Sequence, residues 1–291
     1  MQPRDAAFEE LRPTLGRLAY RMLGSLPDAD DVVQDAYLRW SAEDRGDVKS
    51  ARAYLCAIVT RLCIDRRQSI EERKKRYIGP WLPDPVVEAG AGDPAGRMET
   101  AESVSIALLL VLESLTPVER AAYLLRRIFD YGYDEIGEIL GKTGVNCRQL
   151  VSRAEEHIRA RRPRFEARPE EAERLTSAFL AACSSGDMQG LLEVLAPDSV
   201  LYSDGGGKAA AALAPIVGHD RIARMFLGIL KKAPAGLRIR RVRVNGQPGL
   251  LAMVDGQVVQ VLTFDVVDGR VATCYVVRNP EKLARVEPIG D

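Results

Sequence analysis

Between Tyr77 and Gly96 the chain places four prolines and four glycines within twenty residues. An interior proline removes a backbone donor and clashes with the preceding turn, so no helix runs through this stretch. On either side the hydrophobic period is helical, over residues 1 to 76 and again from 98 to 165, and strand patterns begin only near residue 196. The pattern predicts a multidomain chain in four pieces: 1–76, a linker at 77–97, 98–168 and an α+β unit at 169–291. The first half of the linker, Tyr77-Ile-Gly-Pro-Trp-Leu-Pro-Asp-Pro-Val-Val-Glu88, sets a tryptophan and aliphatics between prolines. That composition predicts a semi-rigid extended segment that packs against something, whereas the Ala/Gly half at 89–97 predicts a flexible one. A second boundary falls at Arg161-Arg-Pro-Arg-Phe-Glu-Ala-Arg-Pro169.

Charge decides what kind of partner such a chain can have. Lys plus Arg and Asp plus Glu each total 41, so the formal net charge is zero and nothing draws the free protein generally to nucleic acid or to an anionic membrane. Any DNA binding must be local or assisted. The five cysteines contain no C-x-x-C pair and only two histidines are present, which supports neither a disulfide framework nor a zinc site. No metal and no cofactor is expected. The chain shows no basic-then-apolar leader, and its longest apolar stretch, Ser105 to Leu112, falls far short of the roughly 18 residues of a membrane span. A cytoplasmic protein without membrane attachment is the expectation.

Three helical segments carry candidate surfaces. Ser25-Leu-Pro-Asp28 joins a capping pattern to an early proline, and Val32, Val33, Ala36, Tyr37 and Trp40 then form an apolar face. Opposite lie Asp31, Gln34, Asp35, Leu38 and Arg39, either a solvated face that complements the helix dipole or a docking surface for a basic partner. From 50 to 69 Ala51, Leu55, Ile58 and Leu62 follow helical spacing, and seven basic residues against three acids occupy 61 to 76. Arg61, Arg66 and Arg67 in this run are candidates for tracking phosphates, or simple partners of a helix C-terminus. Tyr133 to Leu140, the turn Gly141-Lys-Thr-Gly144 and a helix from Val145 read as helix-turn-helix. The second helix gathers Cys147, Val151, Ala154 and Ile158 on one side and Asn146, Arg148, Gln149, Ser152 and Arg153 on the other. Glu156 shares that side; Arg, Asn, Gln and Ser are side chains that read base edges in a major groove, so the segment is either a DNA reader or an ordinary helical hairpin.

In the last segment, Arg238 to Val244, Val258 to Val267 and Val271 to Val277 read as strands, with Asp255-Gly256 and Asp268-Gly269 as hairpin turns. Helices are expected at 170–184, 187–195 and 220–231. Asp204-Gly-Gly-Gly-Lys208 is no phosphate loop, because Tyr202 replaces the first glycine and Ala209 follows the lysine. Its glycines permit close backbone approach, and the flanking Asp and Lys can clamp a partner segment. His219-Asp220 suggests an acid/base pair, but its position at a helix start makes Asp220 a cap and His219 an exposed neighbour. No catalytic residue is expected.

In this order the elements resemble a bacterial sigma factor of the extracytoplasmic-function class. Asp28-Ala-Asp-Asp-Val-Val-Gln-Asp-Ala-Tyr-Leu-Arg-Trp40 resembles the region-two segment that docks on the clamp helices of RNA polymerase, which assigns Asp31, Gln34, Asp35 and Leu38 to polymerase binding. Ala53 to Arg67 resembles the helix that engages the melted minus-ten element, with part of the base-capture pocket in the loop Ser41 to Lys49. Leu115-Thr-Pro-Val-Glu-Arg120 with the helix-turn-helix resembles region four, the reader of the minus-thirty-five duplex. Trp81-Leu-Pro-Asp-Pro85, Asp204-Gly-Gly-Gly-Lys208 and Asn279-Pro-Glu-Lys-Leu283 resemble motifs of the subgroup with a fused SnoaL-like domain, the sigma factor J type.

The resemblance implies a transcription initiation factor rather than an enzyme, monomeric when free, whose partners are core polymerase and promoter DNA. It further implies an intramolecular contact of the C-terminal domain with region two and the linker, through Trp81, Leu82, Pro83, Asp204, Gly205, Gly206, Gly207, Lys208, Asn279, Pro280, Lys282 and Leu283. A one-component helix-turn-helix regulator with a ligand-sensing cone is the competing reading. It would bind duplex DNA without polymerase.

Overall fold

The computed structural model describes residues 3–42, 50–88, 104–161 and 168–288. The chain divides into two compact units, residues 1–76 with 109–162, and residues 77–108 with 163–291. The Ala/Gly half of the linker, most of the loop expected to capture bases, the helical pattern at 98–103 and the boundary at 162–167 lie outside the described residues.

The first unit is helical. α1 (Pro3–Leu23), α2 (Leu26–Ala42) and α3 (Ala51–Lys75) pack on one another. Phe8, Leu15, Leu18 and Met22 form the inner stripe of α1, and α2 buries Val32, Val33, Ala36 and Trp40. α3 starts at Ser50, whose Oγ accepts the Ala53 N–H at 3.2 Å, and buries Leu55, Val59, Cys63 and Ile70.

α4 (Ile106–Glu113), α5 (Pro117–Arg127), α6 (Tyr133–Leu140) and α7 (Gly144–Arg161) follow. Thr116 and Glu119 form a reciprocal capping box at the start of α5, with Pro117 in the first turn. Gly141 ends α6 in the left-handed region at φ 65°, a conformation that side chains resist. α7 then starts on Thr143, whose Oγ1 accepts the Asn146 N–H at 3.2 Å. Cys147, Val151, Ala154 and Ile158 of α7 are buried, the set that the spacing selects.

The second unit is α+β. A seven-stranded sheet runs in the order β1-β4-β5-β6-β7-β2-β3. Its strands are β1 (Val87–Glu88), β2 (Leu195–Asp204), β3 (Ile216–Val217), β4 (Arg238–Val244), β5 (Gln247–Val254), β6 (Gln257–Val267) and β7 (Arg270–Val277). Neighbours are antiparallel except β2 and β7. Asp255-Gly256 and Asp268-Gly269 both have positive φ, the geometry of tight hairpins, and Asn245-Gly246 makes a third such turn.

Against the sheet lie α8 (Pro169–Ser185), α9 (Met188–Val194) and α10 (His219–Leu230). Phe179 of α8 centres their core, its ring 5.0 Å from Phe226 and 4.9 Å from Phe264. A short α11 (Pro280–Leu283) follows β7.

Three sequence expectations need correction here. The sequence puts the onset of strand pattern near residue 196 but assigns no strand at β2 or β5: Pro197 and Asp198 interrupt the pattern of β2, and Pro248-Gly249 reads as a strand breaker at the start of β5. Asp220 is no cap, because Gly218 leads α10 and Asp220 sits in the first turn, held at 2.8 and 3.0 Å by Arg224. His219 is half-buried rather than exposed, with its Nδ1 enclosed.

Candidate functional site

The sequence candidates gather at three places, two in the helical unit and one in the α+β unit. On α7 the side chains of Asn146, Arg148, Gln149, Ser152 and Arg153 are all exposed on the face opposite the core. The Arg148 guanidinium lies 5.0 Å from the ring centroid of Tyr133, an attraction that orients its fork at the start of the helix. A helix N-terminus bearing Arg, Asn, Gln and Ser can offer bidentate contacts to guanine and adenine.

On α2 the exposed face carries Asp31, Gln34, Asp35 and Leu38, the last 56% exposed. Asp28 is buried beneath it and receives Arg66 at 3.1 Å and Arg73 at 2.6 Å. Burial pushes the Asp28 carboxyl up, but hydrogen bonds with Ser25, Arg73 and Arg66 outweigh it and hold the group below the usual carboxylate range. Arg66 also grips Asp31 at 2.5 Å, so one candidate of each kind is joined in an ion pair.

The three basic candidates on α3 are therefore not a free phosphate-tracking row. Arg67 is 3% exposed, and its guanidinium reaches Glu71 at 3.4 Å instead of solvent, because residue 67 falls on the face that packs inward. Arg61 donates to the backbone carbonyls of Ile139 at 3.1 Å and Glu138 at 3.4 Å, the last residues of α6. Arg66 is engaged as just described. Counting charge in the sequence found these cations but could not tell which partners already held them.

The third site is a clasp between the linker and the sheet. Asp204, at the end of β2 and 0% exposed, accepts three hydrogen bonds on its carboxylate. Tyr77 Oη donates to Oδ1 at 2.5 Å, and the Leu82 N–H and Lys282 Nζ donate to Oδ2 at 2.9 and 2.8 Å. Lys282 also donates to the Leu82 carbonyl, and its ammonium sits 3.7 Å from the Trp81 ring centroid. Asp84 stands 4.0 Å away. The Tyr77 and Trp81 rings meet edge-on at 4.6 Å.

Asn279 completes the clasp: its Nδ2 donates to Tyr77 Oη at 2.8 Å while its Oδ1 accepts the Glu281 N–H at 3.0 Å as the cap of α11. Burial pushes the Tyr77 hydroxyl well above its ordinary range, and its bond to the Asp204 carboxylate adds to the shift. Pro280 and the buried Leu283 shape α11, which presents Lys282.

The glycines act by size and conformation. A Cβ on Gly206, whose φ is 59°, would lie 2.4 Å from Asn279 Nδ2, and one on Gly207 would lie 2.8 Å from Ile78. Gly205 turns the chain by accepting the Lys208 N–H at 2.9 Å. Lys208 itself pairs with Glu281, so the clamping lysine is Lys282. Further along, Asn245 fixes both flanks of the linker's second half: it accepts the Val86 N–H at 3.1 Å and donates to the Val104 carbonyl at 3.2 Å. Val87 and Glu88 then pair with β4 as an edge strand.

Tyr77, Asp84 and Asn245 were not among the sequence candidates. Tyr77 and Asp84 lie inside the Trp/Pro segment and were within reach of its reading, whereas a single hairpin asparagine carries no such signal.

Among the described residues no group of three or more His, Cys, Asp and Glu could hold a metal ion, and no helix is long and apolar enough to cross a membrane. All five cysteines are buried and free.

Comparison with known proteins bears on all three sites. The family models for Sigma-70 region 2 and Sigma-70, region 4 match residues 7–73 and 105–158. The chain is 34% identical to the ECF RNA polymerase sigma factor SigJ of Mycobacterium tuberculosis, over 97% of this chain and 96% of that protein. It is also 34% identical to a probable ECF RNA polymerase sigma factor, SigI, of the same organism, over 97% of this chain and 95% of the relative. The crystal structure of M. tuberculosis SigJ superposes with a TM-score of 0.77 at 32% identity, covering 96% of this chain and 98% of the other. α2, α3 and the helix-turn-helix thus fall within the sigma regions, and the likeness runs on through the clasp and the α+β unit: the chain belongs to the extracytoplasmic-function RNA polymerase sigma factors.

Proposed function

We propose that this sigma factor works in four segments, 1–76, 77–97, 98–168 and 169–291, and that the SnoaL-like C-terminal domain regulates it in cis. Asp31, Gln34, Asp35 and Leu38 dock on core polymerase. Asn146, Arg148, Gln149, Ser152 and Arg153 read the minus-thirty-five duplex. Arg61 and Arg66 serve the melted minus-ten element only after they release the partners that hold them in the free protein, and the buried Arg67 is a structural residue of α3. The free protein is a cytoplasmic monomer, and a zero net charge suits a factor whose hold on DNA is supplied mainly by a larger polymerase.

The observation that carries the regulatory reading is the clasp. A buried Asp204–Lys282 pair holds the backbone of Leu82 from both sides, by its N–H and by its carbonyl. No catalytic step is assigned to the C-terminal domain, since Asp220 is committed to Arg224, whose hydrogen bond and charge hold its carboxyl below the ordinary range.

Promoter-directed transcription by core polymerase tests both parts. Lys282→Met is expected to change transcript yield while the helical unit keeps its circular dichroism, and unchanged yield overturns cis regulation. Arg148→Ala is expected to relax base choice at one promoter position by about 1 to 3 kcal/mol; a loss uniform across promoters would make Arg148 a phosphate contact.

A further inference from the structure

The α+β unit holds a cavity of about 990 Å³ that the clasp does not use. This is at the upper end of the roughly 300 to 1,000 Å³ typical of small-molecule sites. Its walls come from α8, α10 and strands β4 to β7, with Phe179, Phe226, Leu250 and Leu262 among them, and are overwhelmingly aliphatic and aromatic. Ile229, 49% exposed, also lines it, so the cavity reaches the surface beside α10.

The charged lining is one-sided. Arg224, Lys232 and Arg278 contribute cations, and none of the lining side chains is a carboxylate. Arg224 is already satisfied by Asp220. Arg278 is not: its Nη1 donates to the Ala210 carbonyl at 2.5 Å, while its Nε is buried without a hydrogen-bond partner among the described residues. A buried guanidinium donor on an apolar wall is stabilised by an anion. Cys183, the one lining thiol, is pushed up to about 12 by burial and offers no thiolate for chemistry. We propose that the cavity binds an amphiphilic anion of fatty-acid type, its apolar body along the α8 and α10 walls and its carboxylate on Arg278.

Binding there would reach the regulatory site through shared backbone. The Arg278 N–H donates to the Asp204 carbonyl at 2.7 Å, and the residue after it is Asn279 of the clasp. Ala210, Ala211 and Ala212, a few residues beyond Asp204, line the cavity, and a Cβ on Gly79 of the linker would lie 3.8 Å from the Ala212 carbonyl. One loop therefore faces the cavity on one side and the linker on the other. This coupling rests on the regulatory reading above; the binding itself does not.

The test titrates the full chain with decanoate and with decanol by calorimetry. Decanoate is expected to bind at least about tenfold more tightly, the preference expected of a charge-assisted contact. Arg278→Met should abolish the preference but keep decanol binding, Arg278→Lys should restore part of it, and Ile229→Trp, placed at the surface opening, should weaken both. Equal affinity for acid and alcohol, binding of neither, or a preference that survives Arg278→Met overturns the site. Hydrogen exchange of the Leu82 amide, read with and without bound decanoate, separates the two claims: bound decanoate with unchanged exchange leaves the site standing and removes its link to the clasp.

Discussion

Two buried charged centres, one in each unit of this sigma factor, are satisfied in opposite ways. In the α+β unit Lys282 and Asp204 are 7% and 0% exposed, and every polar atom that the clasp's carboxylate offers is met. In the helical unit Arg120 is 0% exposed; its Nε donates to the Arg21 carbonyl at 2.9 Å, but Nη1 and Nη2 have no hydrogen-bond partner among the described residues. Burial, with the neighbouring charge of Arg67 adding to it, pushes the Arg120 guanidinium down to about 9. Two donors of Arg67 are likewise buried without partners among the described residues.

The difference teaches what each site is for. A satisfied ion pair fixes a geometry and is costly to break from one side, whereas an under-satisfied guanidinium weakens the packing around it. Tyr77 and Leu82 are therefore pinned to the end of β2, while α1, α3 and α5 meet around an under-satisfied cation.

The largest effect should come from breaking the clasp on one side. Lys282→Met leaves Asp204 buried without its cation and is expected to cost the α+β unit about 3 to 5 kcal/mol, read by denaturant unfolding. A loss below 1 kcal/mol would place the clasp with weak surface pairs. Arg120→Met should do the reverse. Replacing the under-satisfied cation with an apolar chain of similar length is expected to leave stability unchanged or raise it by up to about 4 kcal/mol. A loss of the size expected for Lys282 would erase the contrast.

A smaller effect sharpens the comparison through pH. Asp28 has a folded pKa below its unfolded value, so its contribution is fully present above the unfolded carboxylate range and is lost as pH falls through the folded value. Asp28→Asn should flatten the acid limb of stability in the helical unit, and an acid limb identical to that of the parent would deny Asp28 that role.

Much of this was legible in the sequence, for physical reasons that can be named. The helices of the first unit follow from regular apolar spacing, with a capping pattern at Ser25-Leu-Pro-Asp28 where the Asp28 N–H meets Ser25 Oγ at 3.4 Å. The α7 surface follows because one period separates Cys147, Val151 and Ala154 from Arg148, Gln149 and Ser152. The segment of Trp81 and Leu82 stood out by its proline-bounded aromatic, and Asp204 by the triple glycine beside it, whereas Asn279 and Lys282 were singled out only by resemblance to motifs of a sigma-factor subgroup.

What stayed hidden were pairings across long separations. Arg66 meets Asp31, and Arg61 meets the end of α6, only once the helices pack, so net charge in a window overstated the free cations on α3. β5 was hidden by Pro248-Gly249, and Asn245 by having no local pattern at all.

The most direct test is a double-mutant cycle in promoter-directed transcription, with Asp204→Asn and Lys282→Met made singly and together in the full chain. If the two residues regulate through one clasp, each single variant changes transcription and the double variant changes it no further than the stronger single. Transcription equal to the parent in all three variants, or effects that simply add, would contradict a regulatory clasp.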